Sequence, residues 1–97
     1  MATPAGLAPE AAAQFEIAQR YNQALFRAQR NKRELMQLQQ SQSGTQLPDD
    51  VRAARDRLDD QVKSILTAMS RRDNAQANQA LQSTEASLAV IEKYLEP

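Results

Sequence analysis

The side chains spaced closely enough to do chemistry in this sequence are two charged groups and one aromatic set. Asp56, Asp59 and Asp60 fall in one short stretch, and Asp56 and Asp60, four apart, share a helical face, so their carboxylates suit a hard cation such as Ca²⁺ or Mg²⁺. A plainer reading fits the same residues better. Arg52 lies four before Asp56, Arg55 four before Asp59, and Lys63 four after it, which predicts a ladder of exposed ion pairs. No metal or other cofactor is expected.

Arg20, Arg27, Arg30 and Arg33, with Lys32, give the first half of the chain a basic face able to follow phosphates. Glu16, four before Arg20, and Glu34, four after Arg30, relieve it. The whole chain carries 12 basic and 12 acidic residues, whereas a nucleic-acid binder usually shows a basic domain. A solvated face is therefore the preferred reading, with an acidic protein surface next and nucleic acid the weaker alternative. Phe15, Tyr21, Phe26 and Tyr94 have the bulk to line an apolar pocket, yet in so short a chain they read first as the largest pieces of the core.

Many chemistries are excluded outright. With no Cys, His or Trp there is no disulfide, no Cys/His zinc centre, no His-ligated haem and no His-dependent triad. The only glycines, Gly6 and Gly44, belong to no phosphate-binding loop. Ser64, Thr67, Ser70 and Tyr94 have no base placed beside them in sequence, so no nucleophile is indicated and an enzyme is not expected.

The elements that position these groups are helical. From Pro9 to Gln40 there is no glycine and no internal proline, and apolar residues return every three or four positions. On a wheel, Ala11, Ala18, Leu25 and Met36 share a line, flanked by Tyr21 and Ala28 on one side and by Phe15 and Phe26 on the other; Ile17, Ala24 and Leu35 widen the Tyr21 side. Arg20, Arg27, Arg30 and Gln23 are expected to point away, and the polar stretch Gln29 to Gln40 to be the less buried half. Ser41 to Pro48 reads as a turn, and Pro48-Asp49-Asp50 as a strong helix start. Val51, Ala54, Leu58, Val62, Ile65 and Met69 then carry a second helix to about Arg71. Asp73 can cap a third, with Ala77, Leu81, Thr84, Leu88, Ile91 and Leu95 inward. Without glycine or proline at Arg71 to Asp73, one kinked continuous helix is the alternative.

The expected fold is all-α: an antiparallel three-helix bundle, one long helix packed by a C-terminal helical hairpin, with helices at about 9–40, 49–71 and 74–95 behind a flexible tail at 1–8, all in a single domain. The tail has neither the basic start nor the apolar run of an intact signal peptide, and no stretch is long and apolar enough to span a bilayer. Cytoplasmic and exported settings both fit. Leu, Ile, Val and Phe make up slightly under one fifth of the chain, so the core is small and self-association is expected to supplement it.

The expected function is a non-enzymatic protein interaction module, an adaptor or oligomerising scaffold, docking through Phe15, Ala18 and Phe26. On this reading the hairpin covers the long helix only back to about Ala18. A small chaperone for an amphipathic partner helix and a nucleic-acid binder using Arg20, Arg27, Arg30 and Arg33 are the alternatives.

Overall fold

A computed structural model describes residues 8–41 and 46–96. Residues 1–7 of the expected tail and 42–45 of the expected Ser41 to Pro48 turn lie outside the described residues. Three helices follow in order: α1 (Pro9–Ser41), α2 (Asp49–Ser70) and α3 (Asn74–Leu95). They form the antiparallel three-helix bundle, α2 running against both neighbours. That α1 and α3 are parallel is read from their ion pairs, since Arg20 meets Glu85 and Arg27, seven further on, meets Glu92, also seven further on.

Each helix boundary has a local cause. Pro9 suits the first turn, and Glu10 complements the positive end of the α1 dipole. Asp49 and Asp50 do the same for α2, where the Asp50 carboxylate accepts a hydrogen bond from the Val51 amide at 2.9 Å. At its other end α2 closes with a Schellman turn: the Arg72 amide donates to the Met69 carbonyl at 3.0 Å and the Asp73 amide to the Ala68 carbonyl at 2.9 Å. The turn needs a left-handed residue, and Arg72 supplies it at φ 56°. This is how a sequence without glycine breaks the helix rather than kinking it. Asp73 then caps α3, its carboxylate accepting from the Gln76 amide at 3.1 Å.

The core lies along the α2–α3 seam, where packing is most extensive. Leu58 and Ile65 of α2 and Leu81, Leu88 and Ile91 of α3 are fully buried, and Leu35 of α1 joins them. Leu47, from the connection before α2, and Val51 close one end. Ala24 and Ala28 of α1, Ala54 and Ala68 of α2 and Ala77 of α3 let the backbones approach closely but bury little apolar area each. The body measures 54 × 23 × 15 Å, and at ~1.5 Å per residue α1 alone spans its length.

The face that α1 buries differs from the one expected. Beyond the first turn, where Ala12 is buried, its inward residues are Ile17, Ala24, Ala28, Asn31 and Leu35, the Tyr21 side of the stripe, while Met36 on the expected centre line is exposed. The helix carries two apolar faces, and an average over the wheel falls between them. The half Gln29 to Gln40 is not uniformly the less buried, since Asn31 and Leu35 are each 1% exposed.

Replacing the left-handed residue tests the α2–α3 turn. Arg72→Gly should unfold at higher urea than wild type, by up to about 1 kcal/mol, because a Cβ in that region costs ~1 to 2 kcal/mol and glycine's extra chain entropy offsets part of the gain. Arg72→Val, β-branched, should unfold at lower urea than wild type.

Candidate functional site

Two surfaces of α1 carry the residues singled out in the sequence. The first faces α3. Arg20 donates to both carboxylate oxygens of Glu85, at 2.8 and 3.4 Å, and to the Asn78 side-chain oxygen at 3.1 Å. One heptad on, Arg27 grips Glu92 through two bonds of 2.6 and 2.9 Å. Asn31 donates to the same carboxylate at 3.2 Å, and Arg30 approaches it at 3.5 Å. Arg20 and Arg27 therefore do not point away from the bundle; they clamp its edge, because long side chains at the border of an alanine-lined seam reach across to the next helix. Nor do Glu16 and Glu34 pair with Arg20 and Arg30 as their four-residue spacing suggested.

The clamp shifts the charges it holds. The Arg27 hydrogen bonds hold the Glu92 carboxyl below its ordinary value; burial opposes them, and the Asn31 bond and the Arg27 and Arg30 charges reinforce them. The Glu92 hydrogen bond correspondingly raises Arg27, against its own burial. Asn31 is buried, and its side-chain oxygen has no hydrogen-bond partner. Neither Asn31 nor the two glutamates was singled out in the sequence. The signal was there: Asn31 continues the seven-residue series Ile17, Ala24, and Glu85 and Glu92 repeat the spacing of Arg20 and Arg27.

The second surface is the outer face of α1. Phe15 is 41% exposed, Phe26 66% and Met36 58%, with Ala18 and Leu25 half-buried along the same side. Phe15 is not left bare because the hairpin runs out, as expected, since Ile17 beside it is 4% exposed. It is bare because it stands about 160° around the helix from Ile17. The outer arc from Ala11 to Gln29 carries no charge, and Arg33 is the first charged residue on it.

The remaining candidates disperse. Lys32 reaches Asp59 across helices at 2.8 Å, Arg55 meets its neighbour Asp56 and Arg52 meets Asp49, so none of the four-residue pairs expected on α2 forms. Salt bridges one or three residues apart, or to α1, satisfy those aspartates instead. Among the described residues no three potential metal ligands gather. Tyr21 and Tyr94 pack half-buried against the core while Phe15 and Phe26 face outward, so the four aromatics line no common pocket. The hydroxyls of Ser64 and Ser70 donate to the carbonyls of Asp60 and Leu66 one turn back, the ordinary bond of such residues in a helix. An open groove of about 580 Å³ near the α2–α3 turn sets Asp60 and Asp73 against Lys63 and Arg71, a balanced lining with no preference for either sign of ligand. No helix among the described residues is long and apolar enough to cross a membrane.

Compared with known protein families, curated proteins and solved structures, the chain matches none.

The clamp sets a pH dependence. A carboxyl whose folded value is lowered contributes stability above its ordinary value of 4.5 and loses it as the pH falls through the lowered one. Glu92→Gln should therefore lower stability at pH 7 by about 1 kcal/mol, as for a partly exposed bidentate pair. The difference from wild type should shrink steadily below pH 4.5 in urea titrations at stepped pH.

Proposed function

We propose that this chain is a non-enzymatic helical interaction module that docks a protein helix on the outer face of α1. The observation that carries this reading is the exposure of Phe15, Phe26 and Met36 on one side of a helix, where Arg33 is the single charge, while the opposite side already completes the core. Folding leaves these residues unused. A row of aromatic and thioether side chains on a rigid rod is suited to helix-on-helix packing, in which anchors about three turns apart enter the spaces of a facing helix.

The two alternatives have less support. A chaperone enclosing an amphipathic helix works through a concave groove, and this surface is a convex ridge. For nucleic acid, Arg20 and Arg27 are engaged by Glu85 and Glu92, and Arg30 lies near Glu92, so the expected basic face is largely neutralised within the fold.

Truncating the anchors separates docking from folding. Phe15→Ala and Phe26→Ala together should lower unfolding stability in urea by less than about 2 kcal/mol, because Phe26 is 66% exposed and Phe15 41%. The double variant should lose the proteins that immobilised wild type retains at physiological salt, measured by quantitative comparison of the two. A gel shift with duplex and single-stranded DNA at low and physiological salt should show no retardation by wild type at the higher salt. Retention of the same proteins by the double variant would remove the docking reading.

A further inference from the structure

Resting on the docking reading, we infer that the occupant of the outer face of α1 is a second copy of this chain, its α1 antiparallel to the first. A two-fold interface must be complementary to itself, and this face meets that condition in one register. An axis passing between Leu25 and Phe26 sets those two residues of opposite copies level with each other. The same axis brings Phe15 of one copy level with Met36 of the other, and Asn22 level with Gln29. The largest exposed apolar side chains of α1 thereby meet apolar partners, and the two amides meet each other, each able to donate and accept.

Charge chooses the direction. Pro9–Gln19 contains Glu10 and Glu16 and no base, a net charge of −2, whereas Gln29–Ser41 contains Arg30, Lys32 and Arg33 against Glu34, a net of +2. Glu10, Glu16 and Arg33 have no ion pair among the described residues, while Lys32 and Arg30 are partly engaged by Asp59 and Glu92. Parallel copies would set like ends together. Antiparallel copies set Glu16 of one within a turn of Arg33 of the other, on the same flank of the contact.

The area sets the strength. A strip the length of α1 and about 10 Å wide offers on the order of 500 Å² per copy, at the low end of specific interfaces. The dimer should therefore be weak, with a dissociation constant of about 10 to 500 µM.

Sedimentation equilibrium of the full chain from 5 µM to 1 mM at physiological salt tests it, expected to show a monomer–dimer equilibrium. Phe26→Ala, next to the axis, should weaken dimerisation at least tenfold while the urea midpoint stays near that of wild type. Glu16→Lys and Arg33→Glu should each weaken it about two- to fivefold, and the two together should recover most of the loss. Since the protein has no cysteine, Gln37→Cys with a spin label reports direction: about 35 Å between labels for the antiparallel register against about 10 Å for parallel copies. A wild-type chain monomeric at 1 mM, a short label distance, or a Phe26→Ala chain that dimerises like wild type would each overturn the inference. If self-association fails while Phe15→Ala with Phe26→Ala still loses another protein, a heterologous helix is the occupant and the docking reading stands without this one.

Discussion

Glu92 accepts hydrogen bonds from Arg27 and Asn31 at once, and the orientation of the whole first helix follows from that convergence. A carboxylate gripped by a guanidinium fork tolerates little rotation or sliding of either helix, because both bonds lengthen together. Arg20 and Glu85 repeat the constraint two turns away. Two such points on parallel helices define a line. With that line held, α1 can neither slip by a turn nor roll its other face inward without breaking both. The alanines of the seam bring the backbones close enough for the arginines to reach, and so the small residues and the long ones depend on each other.

The hairpin beneath is assembled differently. Its stability comes from Leu58, Ile65, Leu81, Leu88 and Ile91, each fully buried, and its geometry from a turn in which Arg72 takes a conformation usually left to glycine. A hydrophobic seam of that kind is non-directional and tolerates small shifts in register, whereas charged pairs do not. Two kinds of force therefore act in separate places: apolar burial holds α2 to α3, and polar geometry decides how α1 lies on them.

Much of the fold was legible because its signals are local. Pro48-Asp49-Asp50 marks the start of α2, and Ala77, Leu81, Thr84, Leu88 and Ile91 are inward on α3, as their spacing indicates. What was not legible depends on a choice between faces. Phe15, Leu25, Phe26 and Met36 are as good a core on paper as Ile17, Ala24, Ala28 and Leu35, and periodicity alone gives no reason to prefer the second set. The preference arises from Glu85 and Glu92, some 65 residues away, which no reading of α1 by itself brings into view. The same limit misassigned the ion pairs. Spacing of four within one helix suggested Glu16 with Arg20 and Asp56 with Arg52, but a partner on an adjacent helix or a nearer neighbour took each residue that pairs. Phe15 and Phe26 are exposed for a cause other than the expected one, the direction they face rather than the reach of the hairpin.

That cause bears on why the larger side chains are outside. Phe15 is 41% and Phe26 66% exposed, so burying what remains of the two rings is worth roughly 1.5 to 3 kcal/mol, and area alone would favour rolling α1 over to take them in. Rolling it would expose Ile17 and Leu35, strand Glu85 and Glu92 at the edge of α3 without their arginines, and wedge two rings into a seam whose alanines hold the helices close. These losses oppose the gain. The inward face is then set by polar geometry and fit as well as by the burial of Ile17 and Leu35, and the outward face keeps Phe15, Phe26 and Met36. A helix with two nearly equivalent faces, one locked by specific charge pairs, presents the other without having to unfold to do so.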